Sequence, residues 1–161
     1  MEVLTEQVRL DFHITFEVVN PTHRREKFHQ HIAFEKAENA TLHELTLISS
    51  ADHYTIKDGL KENPKEPGIM EAKGRSVRIR PSKSNIRYLF GAKYSMILPI
   101  DFYYKHHFGS PTINATISID APKELNVRAT SSEIHNGMSW AYQKLFMPED
   151  ALHICWNRSA K

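Results

Sequence analysis

Val8-Arg9-Leu10-Asp11-Phe12-His13-Ile14-Thr15-Phe16-Glu17-Val18 decides the fold class. Every even position in this stretch is apolar and every odd one polar. Successive strand side chains point to opposite faces, whereas a helix would scatter these apolar residues around its circumference. The stretch therefore reads as a long strand with one buried face, ended by Asn20-Pro21.

The same period recurs outward from it. Phe28, Gln30, Ile32 and Phe34 would share a face of a second strand, although Phe28 and Ile32 also suit a helix over 22–37. Further alternations run from Leu42 to Ile48, through Val77-Arg78-Ile79-Arg80, from Tyr94 to Tyr104, from Ile113 to Ile119 and from Leu125 to Ala129. Two more follow at Trp140 and Tyr142 and from Leu152 to Trp156. Pro99 cannot donate a ladder hydrogen bond, so its strand is expected at a sheet edge, or bent or bulged. His106-His107, before Phe108-Gly109-Ser110-Pro111, reads as a loop or hairpin. About nine short strands with regular turn signals predict an all-β chain. An antiparallel β-sandwich, immunoglobulin-like or jelly-roll-like, is favoured, with a closed barrel as the second choice.

A chain of 161 residues suits one domain, 1–161. Residues 58–74 hold two Pro, three Gly and mixed charges and are expected to form a mobile loop. The net charge of +2 excludes a polycationic or acidic-tail protein. One cysteine, Cys155, excludes an internal disulfide framework and is expected to be a packed, inert thiol. The start of the chain lacks the apolar core of a secretory leader, and the apolar runs are too short for a membrane span. A cytoplasmic setting is the expectation, in which the sequons at Asn39, Asn114 and Asn157 carry no meaning.

Two residue groups carry chemistry. Lys73, Arg75, Arg78, Arg80, Lys83, Arg87 and Lys93 lie in a stretch with no acidic residue from Ala72 to Ile100. With Val77 and Ile79 turned inward, Arg78 and Arg80 would face outward together. Arg78, Arg80, Lys83 and Arg87 are the expected ligand-binding residues, and Tyr88 and Phe90 would offer stacking faces. A protein partner or an anionic, phosphate-bearing ligand would bind there, with nucleic acid less favoured. The competing account is a solvated strand edge whose cations block aggregation.

The second group is His29-Gln30-His31 with Glu35. On a strand both imidazoles would project from one face, and two His with a carboxylate can hold Fe(II), Mn or Zn. The His-x-His-x-x-x-Glu spacing is similar to the first motif of the cupin family, which implies a metal-binding β-barrel built on His29, His31 and Glu35. It departs from that motif where His23 and Leu42 replace the family's flanking Gly, and no second motif follows. Nucleophile elbows and phosphate-binding Gly-rich loops are absent from the sequence. The favoured expectation is thus a non-catalytic recognition or accessory domain without a cofactor.

Overall fold

A computed structural model of the chain describes residues 6–50, 52–57, 59–81, 87–129, 134–136 and 138–158. The protein is all-β, and among the described residues its only helical element is a 3-10 turn at Lys36–Glu38. The strands are β1 (Gln7–Val18), β2 (Glu26–Glu35), β3 (Thr41–Ser49), β4 (His53–Ile56), β5 (Lys61–Glu62), β6 (Ile69–Ile79) and β7 (Tyr88–Pro99). They continue with β8 (Tyr103–His107), β9 (Thr112–Asp120), β10 (Leu125–Ala129), β11 (Ile134–Asn136), β12 (Ser139–Tyr142) and β13 (Ala151–Arg158). No helix among the described residues is long and apolar enough to cross a membrane.

The strands form three antiparallel sheets. One layer is a continuous seven-stranded sheet in the order β11-β12-β9-β1-β7-β3-β4. The other layer is divided into two three-stranded sheets, β10-β13-β8 and β2-β6-β5. The arrangement is an open sandwich, so the closed barrel held second is excluded, and the divided layer departs from the two continuous sheets of an immunoglobulin-like or jelly-roll sandwich. Aromatic contacts join the layers. Phe34 and Phe28 of β2 meet Tyr94 and Phe90 of β7, with ring centroids 4.8 and 6.2 Å apart. Tyr104 of β8 meets Phe12 of β1 at 5.6 Å, and Phe108 just past β8 meets Phe16 edge-on at 5.2 Å.

The period-two reading of β1 holds at every position: Val8, Leu10, Phe12, Ile14, Phe16 and Val18 are all buried. Residues 26–35 are strand rather than helix, and Phe28, Gln30, Ile32 and Phe34 all face the core. Gln30 is accommodated because Nε2 donates to the carbonyls of Leu45 (3.0 Å) and Tyr54 (3.3 Å), while Oε1 accepts from the Arg75 amide (3.2 Å). The β2–β6 register shifts at this point, between His29 and His31.

Four expectations need correction. Pro99 does not mark an edge strand: β7 lies between β1 and β3, and Pro99 is its last residue. The chain then turns through Asp101, whose φ is 62°, into β8. His106 and His107 end β8 instead of forming a loop, with His106 buried and His107 exposed. The loop 58–74 contains β5 and the first half of β6, paired as a hairpin through Lys61↔Glu71 and Glu62↔Met70. Cys155 is exposed, because the alternation that buries Ile154 and Trp156 turns it outward.

Candidate functional site

The basic face comes from β2 and β6. Their register sets Lys27 opposite Arg78, His29 opposite Ser76 and His31 opposite Lys73, all on the exposed face of the sheet. Ile79 is buried, so Arg78 and Arg80 on either side of it project outward as the period requires. Among the described residues neither arginine has an ion-pair partner. Arg75 lies over the Tyr54 ring, 5.5 Å from its centroid. Glu71 ends the basic run: its carboxylate takes Lys73 Nζ at 2.7 Å and His31 Nε2 at 3.0 Å. The hydrogen bond from Lys73, and behind it the one from His31, hold that carboxyl below its usual range against an opposing push from desolvation.

The expected four-residue cluster does not assemble. Arg87 pairs with Glu17 of β1 at 3.4 Å, beside the seven-stranded sheet, and Glu17 also accepts from Asn114 Nδ2 at 3.1 Å. Lys83 lies outside the described residues. Tyr88 and Phe90 are buried and offer no stacking face.

His29, His31 and Glu35 share the outer face of β2 but are not brought to one point. His29 Nδ1 lies 2.7 Å from Ser76 Oγ, and His31 is engaged by Glu71. Glu35 sits at the strand end, where its backbone amide donates to Glu38 Oε2 at 2.8 Å. Among the described residues no three His, Cys, Asp or Glu side chains form a group that could hold a metal ion.

Sequence reasoning missed a groove. Among the described residues β2 has one strand neighbour, β6, and β8 has one, β13. These two edges face each other across a cavity of about 790 Å³. Phe16 of β1 and Phe90 of β7, stacked at 4.7 Å, form its floor. Phe28, Ile32 and Phe34 line one wall and Tyr104 and His106 the other. His106 is 8% exposed, and its ring touches Phe108 edge-on at 5.1 Å. Its nitrogens have no hydrogen-bond partner among the described residues. Burial, with a smaller contribution from His107, pushes its pKa down to about 4, so the ring is neutral at pH 7. Glu38, raised by desolvation despite its bond from the Glu35 amide, closes one end. Tyr103-Tyr104-Lys105-His106-His107 shows no apolar–polar alternation in the sequence, so the strand that forms this wall read as a loop at His106-His107.

One polar cluster imitates a catalytic relay. On the outer face of the seven-stranded sheet, His43 Nε2 lies 3.0 Å from Ser95 Oγ and 4.0 Å from Asp11 Oδ1. A Ser-His-Asp relay needs the carboxylate on the other ring nitrogen, and here both partners meet the same one. Arg9 also takes Asp11 Oδ1, at 3.0 Å. The cluster is therefore a polar sheet surface without relay geometry.

Comparison of the chain with protein-family models, with characterised proteins and with solved structures found no match.

Proposed function

We propose that the protein is a non-catalytic recognition module that binds an acidic protein partner through the outer face of β2 and β6. The observation that carries this reading is the direct cross-strand pairing of Lys27 with Arg78, with Arg80 following on the same side and no carboxylate paired to either arginine among the described residues. Like charges directly opposite one another weaken a sheet, and a polyanionic surface relieves that cost. The cations run along a strand at about 7 Å per alternate residue and do not converge on a point. A line of charge suits an extended acidic surface better than a single phosphate, for which Arg87 stands in the wrong place. Nucleic acid is less favoured because Tyr88 and Phe90 are internal. A cytoplasmic setting accords with this reading.

The test titrates the protein with a labelled polyglutamate peptide, a single-stranded oligonucleotide and inorganic tripolyphosphate. The expected result is capture of the peptide at low ionic strength, steep weakening with salt and loss in the Arg78→Glu/Arg80→Glu variant, whose melting temperature stays close to the parent's. Peptide binding that survives the double reversal in low salt overturns the site. Preference for the oligonucleotide or for tripolyphosphate overturns the partner class.

A further inference from the structure

We infer that the groove between β2 and β8 seats one extended strand of a protein partner, with apolar side chains turned into the sandwich and acidic ones turned out. This deepens the recognition reading by giving the form of the partner, and it rests on that reading for the acidic half of the pattern.

The first argument is the mismatch between layers. Seven continuous strands face three plus three, and the break falls between β2 and β8. Both strands present edge backbone groups, which in a sheet are satisfied by a neighbouring strand. Proteins blunt such an edge with proline, an inward charge or outward lysines. β2 carries one outward lysine, Lys27, but contains no proline, and its inward residues are Phe28, Gln30, Ile32 and Phe34.

The second argument is width and direction. β2 packs over β7 through Phe34–Tyr94 and Phe28–Phe90, while β8 and Phe108 pack over the adjacent β1 through Tyr104–Phe12 and Phe108–Phe16. Neighbouring strands stand about 4.8 Å apart; β2 and β8 are not paired and lack the backbone proximity of neighbours, so the gap between them exceeds one such spacing, as the seating of one strand requires. Tyr94 meets both Phe34 and Tyr104, and Phe16 and Phe90 join Phe28 to Phe108. The end of β2 thus lies beside the start of β8, and the two edges run antiparallel. A strand between them pairs antiparallel with one edge and parallel with the other. The five residues of β8 set the doubly paired length at about 17 Å.

The third argument is side-chain chemistry. The occupant's inward side chains would meet Phe28, Ile32, Phe34 and Tyr104 over the Phe16–Phe90 floor, which selects apolar residues. Its outward side chains would lie between exposed Lys27 on β2 and exposed Lys105 on β8, with His29, His31 and His107 beside them and Glu35 at the end of β2, so acidic residues are selected next to the two lysines. His106 adds an independent sign of a ligand. It is a buried imidazole that lines the groove without a hydrogen-bond partner among the described residues, and buried polar groups are otherwise nearly always paired. A polar group on the occupant would satisfy it.

The probe is a short blocked peptide alternating valine and glutamate, alongside a scrambled form and a form N-methylated on alternate backbone nitrogens. Binding is measured by calorimetry, and amide exchange is followed in the complex. The alternating peptide should bind, slow amide exchange in both Glu26–Glu35 and Tyr103–His107, and lose about tenfold or more in affinity on N-methylation, since several backbone bonds go at once. Lys105→Glu/His107→Glu, on the far wall from Arg78 and Arg80, should weaken it comparably to Arg78→Glu/Arg80→Glu. Equal binding of the methylated or scrambled peptide, or slowed exchange in β6 alone, overturns the strand seat while leaving acidic recognition intact. Binding that is sensitive to methylation yet indifferent to Arg78→Glu/Arg80→Glu keeps the seat and removes the basic face from the account. No binding of the alternating peptide, or salt-independent self-association with slowed exchange at the same two strands, overturns the partner-strand assignment.

Discussion

The side-chain amide of Gln30 occupies the space that a Cβ on Gly74 would need, with Ile56 closing the other side. Gln30 thereby ties β2 to β3, β4 and the β6 backbone through three hydrogen bonds. Gly74→Ala must displace Gln30 or Ile56, and overpacking of this kind costs about 1–3 kcal/mol. Gln30→Ala leaves buried carbonyls and the Arg75 amide without this partner, at a further cost of about 1–3 kcal/mol. Because both changes act on one contact, urea denaturation of the double variant should show a loss smaller than the sum of the two. Strict additivity would mean that the close approach is not what makes glycine necessary.

The inward row of β1 gives the plainest stability test. Ile14→Ala and Phe16→Ala should each cost about 2–5 kcal/mol. His13→Ala and Thr15→Ala, on the outer face, should cost no more than about 0.5 kcal/mol. Thermal melts in which the two pairs are equally damaging would reject the register.

His106 should make stability fall with acid. Its pKa is lowered in the fold to about 4, against about 6.5 when unfolded. Above 6.5 both states are neutral and the fold keeps its full stability. As pH falls from 6.5 towards 4, the unfolded chain takes up a proton that the folded chain refuses, so stability drops by at most about 3 kcal/mol. Of the neighbouring groups, His107 adds to the effect, while Tyr104 and Phe108 bring no charge. His106→Phe should flatten that pH window and keep or raise stability near neutrality, because it removes an unpaired buried polar group. A pH profile unchanged by the substitution would place the acid sensitivity elsewhere.

Legibility in the sequence followed the range of the interactions. The inward row of β1 and the buried face of β2 were visible because period two is a local signal. The strand breaks were less visible: Asp101 takes a left-handed backbone inside a run whose even positions are all apolar from Tyr94 to Tyr104. The site depended on long-range pairing. Arg78 and Arg80 are where alternation puts them, but Lys27 joins them only through a register fixed across 51 residues. Arg87 is drawn away by Glu17, 70 residues distant. The groove arises from which strands fail to pair, and no local pattern encodes that.

Lys27 and Arg78 connect stability to binding, because both charges face out from directly opposite positions. Lys27→Glu turns a repulsive cross-strand pair into an attractive one. Such pairs are worth about 0.2–1 kcal/mol, so the variant should be more stable than the parent by up to about 1 kcal/mol at low ionic strength. Added salt should erase the gain, since both side chains are exposed and the interaction is screened within about 10 Å at 0.1 M. The same substitution places a carboxylate beside the proposed seat of an acidic strand, so affinity for the acidic peptides should fall as stability rises. Denaturation and calorimetry on one preparation, at two salt concentrations, measure both effects. A variant that gains stability yet binds undiminished would separate the cationic row from recognition and leave it as the device that keeps the β2 edge solvated. A variant that loses stability at low salt would show that Lys27 and Arg78 are not coupled through charge, and the cross-strand argument for an acidic partner would fail with it.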